Sequence, residues 1–266
     1  MEENQVHAER GETPAIRLAT AGDGRTLSVG IGHASRAVAG KQNEDCFGVV
    51  TPVEEPDAAT RGIALAIADG VSGNGGGRFA SETTIKSVLR DFYATPAHWH
   101  VSQALDRVLR SLNDWLLAES LRHPEVEGMV STLSMLLLAD SQYFLVHVGD
   151  SRVYRKRGDV LKQLTTDHTW QRRDMRHVLR RAVGLDTYLV ADFADGEVLP
   201  GDVFVMLTDG VWEVLGDRVI REVLETRKNP DQIADELTER SIRSQVQYMG
   251  RNDATAIVAQ VQAHVL

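Results

Sequence analysis

The sequence predicts an α+β fold in which antiparallel β-sheets are flanked by helices. Two long segments with helical spacing follow one another between groups of strand-like segments. Hairpin-like pairs of short apolar strands come after them. This order breaks the strict β-α-β alternation of a doubly wound parallel sheet, so antiparallel sheets with helices packed against them are favoured.

The strand-like segments are runs of apolar and β-branched residues that end at Gly, Pro or Asp. In chain order they cover residues 27–32, 47–51, 62–68, 129–139, 143–148, 151–156, 189–197, 202–207 and 254–261. Arg157, Gly158 and Asp159 separate two short apolar pairs and predict a hairpin turn.

Apolar residues recur every three or four positions in residues 77–94, 102–121 and 230–247, and this period predicts three long helices. A shorter helix is predicted over residues 217–226. The two consecutive helices, 77–94 and 102–121, lie between the third and fourth strand-like segments.

The chain of 266 residues is expected to form one domain preceded by a tail. Residues 1–24 are polar and lack apolar periodicity, so we predict a mobile N-terminal tail. Residues 25–266 alternate between strand and helix patterns without a Pro-, Gly- or Ser-rich linker, which predicts a single domain.

Composition excludes several classes of protein. No run of 18 apolar residues is present, so a membrane span is not expected. The net charge of −9 argues against a nucleic-acid-binding protein, which needs a basic face. A single cysteine, Cys46, excludes a disulfide framework and a cysteine-rich zinc site. Together with the absence of a secretory signal, this composition predicts a cytoplasmic protein.

Three aspartates follow the most apolar strand-like segments. Asp69 and Asp209 each precede a glycine, Gly70 and Gly210, and Asp150 follows the segment 143–148. Carboxylates gathered at strand ends would repel one another unless protons or a cation compensated them, and oxygen-rich clusters suit Mg²⁺ or Mn²⁺. Asp-Gly is also the commonest turn dipeptide, so a simple turn remains the alternative at each position.

Two further acidic segments flank these strands. Glu44 and Asp45 precede the segment 47–51, and Asn252 and Asp253 precede the last one. Each of these acids, taken alone, is more typical of a solvated loop than of a metal site.

The order of the motifs resembles the protein phosphatase 2C family of metal-dependent phosphatases in its bacterial form. The resemblance covers roughly residues 27 to 262. The motifs are Asn43-Glu44-Asp45, Ala68-Asp69-Gly70-Val71, Ser131-Thr132-Leu133, Val148-Gly149-Asp150-Ser151-Arg152, Leu164-Thr165-Thr166-Asp167-His168, Leu207-Thr208-Asp209-Gly210-Val211-Trp212 and Asn252-Asp253-Ala254-Thr255.

The resemblance implies a four-layer αββα sandwich, with two antiparallel sheets flanked by helices. It also implies hydrolysis of phosphoserine and phosphothreonine in proteins with two or three Mn²⁺ or Mg²⁺ ions per chain. The substrates would be phosphorylated proteins, and a cognate Ser/Thr kinase would be the opposing enzyme.

The resemblance assigns roles to individual acids. Asp69 would bridge two ions, the carbonyl of Gly70 would bind one of them, and Asp209 would hold the second. Glu44 and Asp45 would lie close to metal-bound waters. Asp150 would hold a third, weaker ion.

One departure from the family pattern concerns the substrate phosphate. Many relatives carry an arginine at the position of Gly40. Arg36, Lys41 and Arg78 are candidates to replace it, with Arg36 preferred because a guanidinium forks onto phosphate. A solvated surface arginine is the alternative for Arg36.

His33 could be the general acid for the leaving group, because histidine titrates near neutrality. The alternative for His33 is an ordinary hydrogen-bonded loop histidine.

A second departure concerns the last metal ligand. Asn252 stands where relatives have a metal-binding Asp, so either the second ion binds more weakly or Asp253 replaces it. A phosphatase-fold binding or sensing module with weak turnover is therefore the alternative to an active enzyme. The enzyme is favoured by the retained acids, which are Glu44, Asp45, Asp69, Asp150 and Asp209.

Overall fold

The structure is a computed structural model that describes residues 16–20, 25–51, 61–71, 75–123, 127–170, 175, 177–226, 228–245 and 252–265. The described part of the chain contains four helices. They are α1 (Gly77–Ala94), α2 (Val101–Arg122), α3 (Asp209–Leu224) and α4 (Pro230–Gln245). Among them, none is long and apolar enough to cross a membrane.

The first sheet has six strands in the order β1-β2-β12-β11-β8-β9, and all neighbours are antiparallel. The strands are β1 (Ile16–Thr20), β2 (Arg25–Arg36), β8 (Arg152–Arg157), β9 (Val160–Gln163), β11 (Val203–Leu207) and β12 (Ala254–Val265). The longest pairing joins β2 and β12 over twelve residues, with Ala254 opposite Arg36.

The second sheet is also antiparallel, in the order β10-β7-β6-β4-β3, with the short β5 paired to β4. Its strands are β3 (Asp45–Val50), β4 (Ile63–Val71), β5 (Val130–Ser131), β6 (Leu133–Ala139), β7 (Gln142–Val148) and β10 (Asp192–Glu197). The pairing of β3 with β4 places Asp45 directly opposite Asp69.

Three apolar cores separate four layers. Alternation along β4 shows the arrangement, because Leu65 and Ile67 face the first sheet while Ala66 and Ala68 face α1 and α2. On the other side, β11 and β12 pack against α3 and α4 through residues such as Val205. The predicted fold, two antiparallel sheets flanked by helices, is confirmed.

Four details differ from the sequence prediction. Ile16–Thr20 forms β1, inside the segment predicted to be a tail, because its backbone pairs with β2. The rest of that segment, residues 1–15 and 21–24, lies outside the described residues. β4 continues through Asp69 to Val71, because Gly70 pairs with Ser131 of β5. β9 was absent from the predicted strands, but it forms the second strand of the predicted hairpin, which is confirmed.

The fourth difference is helix α3, which begins at Asp209 rather than at residue 217. The backbone of Gly216 has φ of 68° inside it, so the helical pattern before this kink is short and was hidden from the sequence.

Candidate functional site

A cleft of about 470 Å³ opens where the end of β4, the start of α3 and two loops meet. The loops precede β3 and β12. The residues that line the cleft are mostly polar, and six of them are acidic. The lining residues are Lys41, Gln42, Glu44, Asp69, Gly70, Val71, Asp150, His177, Leu179, Asp209, Glu213, Asn252 and Asp253.

Asp45 lies beneath the cleft as a buried carboxylate. Thr208 and Thr255 both donate their hydroxyls to its Oδ2, over 2.8 and 2.7 Å. The two threonines come from the residue before α3 and from β12, so one carboxylate oxygen joins β3, in the second sheet, to the first sheet. Asp45 therefore fixes how the two sheets meet below the cleft.

Asp69 is positioned by its backbone. Its N–H donates to Oγ1 of Thr132 at 2.8 Å, and its carbonyl accepts from the N–H of Thr132 at 2.8 Å. The hydroxyl of Thr132 also lies 3.1 Å from that of Ser151, next to Asp150. Thr132 thus links the backbones that carry the two acids.

The start of α1 passes very close to the end of β4. A Cβ on Gly70 would lie 1.8 Å from the carbonyl oxygen of Gly77, and one on Gly77 would lie 2.6 Å from Oε1 of Glu44. Only glycine fits at both positions. The Gly77 N–H also donates to the Glu44 carboxylate. The preceding residues 72–74 lie outside the described residues.

Asp209 begins α3 and lines the cleft, and one of its carboxylate oxygens has no hydrogen-bond partner in the described structure. Its Oδ2 accepts from Nδ2 of Asn252 at 2.7 Å, while Oδ1 is buried and makes no hydrogen bond in the described structure. Gln245 holds Asn252 in place, because its Oε1 accepts from the Asn252 N–H at 2.8 Å. An orphaned carboxylate oxygen is costly unless a cation or a proton meets it.

Asp253 fastens the loop that precedes β3. Its Oδ1 accepts from the N–H of Val38 at 2.8 Å, and its Oδ2 accepts from the N–H of Glu44 at 2.7 Å. Both oxygens of Asp253 are thereby engaged by backbone, whereas Asn252 contacts Asp209.

The acids perturb one another. Burial, with the charges of Asp209 and Asp167, raises the pKa of Asp150 to about 8. Burial, with the charge of Glu213, raises the pKa of Asp209 to about 6. The pKa of Asp69 also rises, through burial first and then the charges of Asp45 and Asp209.

The same causes act on the two acids of the preceding loop and β3. Burial raises the pKa of Asp45 to about 7, although its threonine donors lower it. Burial and the charge of Asp253 raise the pKa of Glu44. The ionised forms of these carboxylates are held in a negative environment that a cation would relieve.

The donor chemistry of the cleft fits a hard divalent cation. Carboxylates and backbone carbonyls are the ligands that Mg²⁺ and Mn²⁺ prefer, and Asp209 Oδ1 is a buried oxygen in need of a partner. Among the described residues, no group of three or more His, Cys, Asp or Glu side chains is arranged to hold an ion as it stands. The fit therefore rests on the donor set and on the orphaned oxygen.

The residues predicted to bind substrate phosphate divide into two groups. Lys41 lines the cleft. Arg36 instead donates to Asp235 and Thr238 of α4, each at 3.0 Å, and Arg78 pairs with Glu82 one turn along α1. The preferred assignment of Arg36 as the phosphate ligand is corrected by this placement, because its guanidinium is committed to α4.

His33 does not line the cleft either. It lies opposite Ile257 in the pairing of β2 with β12, and its ring packs 4.5 Å from that of Phe47. This placement corrects the expectation of a general acid, and it also corrects the alternative of a loop histidine, because His33 lies within β2. Gly40 has φ of 81°, so an arginine at that position would be strained.

Sequence reasoning missed several residues that build the site. Thr132, Thr208 and Thr255 hold the backbones and side chains of the acids. For Thr208 and Thr255 the available signal was a threonine close to an acidic motif, whereas Thr132 adjoins no acidic motif in the sequence. Glu213 and His177 line the cleft, and Nδ1 of His177 lies 3.4 Å from Oε2 of Glu213. No spacing rule pointed to His177, because it comes from a segment without periodicity.

Comparison with known proteins agrees with this site. The family model "Protein phosphatase 2C" matches residues 32–250. The serine/threonine protein phosphatase PstP of Mycobacterium tuberculosis is 27% identical over 229 residues, which cover 80% of this chain and 43% of PstP. The chain therefore spans less than half the length of that relative. The serine/threonine phosphatase stp of Listeria innocua is 24% identical, over 64% of this chain and 74% of its own length.

Solved structures show the same fold. PppA, described as a key regulatory component of T6SS in Pseudomonas aeruginosa, matches with a TM-score of 0.72 and 28% identity, over 89% of this chain and 98% of PppA. The catalytic domain of PstP in complex with two manganese ions matches with a TM-score of 0.73 and 26% identity, over 89% of this chain and the whole of that domain. This chain belongs to the protein phosphatase 2C family.

Proposed function

We propose that this protein hydrolyses phosphoserine and phosphothreonine in proteins with the help of Mn²⁺ or Mg²⁺. The observation that carries the proposal is the cleft itself, where Glu44, Asp69, Asp150, Asp209 and Asp253 converge. Burial and the neighbouring negative charges raise the pKa values of Asp69 and Asp150 there. Membership of the protein phosphatase 2C family supports it, as does the manganese bound by the PstP catalytic domain.

The residues present suggest which groups would hold the ions. Asp69, the carbonyl of Gly70 and Asp209 would bind two of them, with Asn252 beside Asp209. Asp150 would contribute to a third. Divalent cations in such a cleft lower the pKa of water and neutralise negative charge on phosphoryl oxygens.

The chain's own residues would position the reactants. Glu44 is held by the N–H of Gly77 and would orient an attacking water through a hydrogen bond. Asp45 keeps β3, β12 and the start of α3 together through its two threonine donors. Lys41 would pair with the substrate phosphate at the edge of the cleft, as a point charge rather than a fork.

The proposal extends to partners and place of action. The substrates would be proteins phosphorylated on Ser or Thr, and a Ser/Thr kinase would act in opposition. Action in the cytoplasm is part of the proposal, and the single cysteine, which leaves no disulfide to form within the chain, supports it.

The experiment that tests the proposal measures phosphate release from p-nitrophenyl phosphate and from a phosphothreonine peptide. Each substrate is assayed with Mn²⁺, with Mg²⁺ and with EDTA. We expect turnover that requires the metal and that EDTA abolishes. Absence of turnover in millimolar Mn²⁺, from protein shown to be folded by circular dichroism, would contradict the enzyme and favour a binding module.

A further inference from the structure

The buried peptide that carries Asp150 needs support from its neighbours. Asp150 follows β7 at a sharp turn, where Gly149 has φ of 112° and packs so closely that a Cβ would lie 2.6 Å from Thr132. The Asp150 carboxylate is buried beside Asp209, whose negative charge repels it. Contacts from neighbouring residues are therefore needed to hold the Gly149–Asp150 turn in place against this repulsion.

Trp212 holds one side of the turn. Its indole N–H donates to the carbonyl oxygen of Asp150 at 3.0 Å. Trp212 lies in the first turn of α3, three residues after Asp209. The hydrogen bond therefore ties the backbone of Asp150 to the helix that begins with the facing acid.

The indole is itself fixed from behind. The guanidinium of Arg152 lies 3.4 Å from the centre of the Trp212 ring, in a cation–π contact. Arg152 is locked by a fork onto Asp167, with Nε to Oδ1 at 3.0 Å and Nη2 to Oδ2 at 2.7 Å. A stacked, charge-paired arginine leaves the ring little freedom to turn its N–H away.

His168 holds the other side. Its Nδ1 accepts from the N–H of Gly149 at 3.2 Å, and its own backbone N–H donates to the carbonyl of Gly149 at 2.7 Å. Because Nδ1 accepts, the ring proton lies on Nε2, which donates to Asp192 at 3.0 Å. Asp192 thereby sets the tautomer that His168 needs.

We propose that Trp212 and His168 are positioning residues that clamp the Gly149–Asp150 peptide and keep the Asp150 carboxylate aimed into the cleft. This inference rests on the metal site of the proposed function, in which Asp150 would bind an ion, and not on the hydrolytic activity itself. The neighbouring Arg152–Asp167 and Asp192 contacts orient the two clamping groups.

The test uses the variant Trp212→Phe, which keeps a ring under Arg152 but removes the donor to Asp150. Trp99→Phe is the matched control, since Trp99 also has an arginine, Arg107, over its ring at 5.0 Å and lies outside the cleft. Mn²⁺ binding to the metal-free full chain is measured by isothermal titration calorimetry. Loss of one hydrogen bond predicts that the dissociation constant of the most weakly bound Mn²⁺ is about 2- to 10-fold higher in Trp212→Phe than in the wild type. Trp99→Phe is expected to match the wild type.

A double-mutant cycle with Asp150→Asn separates positioning from general damage. If Trp212 acts through Asp150, the Trp212→Phe change weakens Mn²⁺ binding in the wild type but adds nothing in the Asp150→Asn background. Equal effects of Trp212→Phe in both backgrounds would overturn the inference. Unchanged Mn²⁺ binding in Asp150→Asn or in Trp212→Phe would overturn it as well.

Two variants of His168 test its part in holding the Gly149–Asp150 peptide. The side-chain amide of Asn reaches the position of Nδ1, whereas that of Gln reaches the position of Nε2. His168→Asn should therefore retain tighter Mn²⁺ binding than His168→Gln, and the reverse order would contradict the clamp. Because these readouts are metal binding, an inactive wild type that binds Mn²⁺ would remove the proposed function and leave the inference standing.

Discussion

Asp202 and Asp150 are both buried aspartates, yet the protein treats them in opposite ways. The side chain of Asp202 is fully buried, and Arg157 forks onto it with two contacts of 2.7 Å. It also accepts the N–H of Leu199. Asp150 is 8% exposed and sits beside Asp209, so its strongest charged neighbour has the same sign.

This difference distinguishes buried carboxylates that are paired within the protein from buried carboxylates that would bind a cation from solution. A buried carboxylate with its own arginine is complete without anything from solution. Asp45, Asp69, Asp150 and Asp209 have no such arginine in the described structure, and their pKa values rise instead. We infer that the missing positive charge comes from solution, as Mn²⁺ or Mg²⁺.

The largest effect is expected for a substitution in the cleft, at a carboxylate that has no arginine partner. Asp69→Asn should lower the rate of p-nitrophenyl phosphate hydrolysis by about 1,000-fold, because cation-based catalysis contributes several kcal/mol. The variant should stay folded in circular dichroism, since it removes a repelling charge. Turnover within tenfold of the wild type would remove Asp69 from the site.

The matching substitution at the arginine-paired carboxylate is Asp202→Asn. It weakens the fork with Arg157, so we expect the free energy of unfolding to fall by about 2 kcal/mol. Urea unfolding checks this value, and hydrolysis per folded molecule should be unchanged below the transition. A large fall in Mn²⁺-dependent turnover without loss of stability would break the comparison.

A buried histidine extends the comparison to a neutral group. Burial lowers the pKa of His147 to about 4, and its ring contacts the Ser134 hydroxyl and the Thr166 carbonyl. The unfolded chain binds a proton near pH 6.5 while the folded protein does not, so stability is full above pH 6.5 and falls toward pH 4. Between pH 7 and pH 5 the loss is about 2 kcal/mol.

The measurement for His147 is urea unfolding at both pH values for the wild type, His147→Gln and His147→Asn. Each variant should lose less stability on acidification than the wild type does. Identical losses in all three proteins would contradict a neutral, buried His147.

The smallest effect is expected for the basic side chains that the sequence predicted to bind the substrate phosphate. Lys41→Ala should raise KM for a phosphothreonine peptide about fivefold, the size expected for a partly exposed ion pair with phosphate. Arg36→Ala should leave KM unchanged, because Arg36 is paired with Asp235 outside the cleft. The opposite order of the two KM values would restore Arg36 as the phosphate ligand.

Much of the fold was readable from the sequence because apolar periodicity survives in long, half-buried elements. The helix over residues 77–94 is predicted with its observed bounds. β1 was missed because five residues next to a polar stretch carry too little pattern, and only pairing with β2 makes them a strand. Helix α3 was placed late because Gly216 interrupts its period.

The site was readable only in part. The acids of the cleft lie in short motifs next to apolar segments and could be predicted from them. The structure brings Glu44, Asp69, Asp150 and Asp209 together. The commitment of Arg36 to α4 depends on Asp235, about 200 positions away in the chain, and no local pattern carries that information. The clamp on Asp150 is hidden for the same reason, since Trp212 and His168 meet it only in three dimensions.

Calorimetric titration of the metal-free full chain with Mn²⁺ tests the central claim most directly, with Asp69→Asn and Asp202→Asn measured alongside. The account predicts that the wild type and Asp202→Asn bind at least two Mn²⁺ per chain and that Asp69→Asn loses this binding. A wild type that binds no Mn²⁺, or an Asp69→Asn variant that binds as the wild type does, would contradict the claim that the acidic cleft is a metal site.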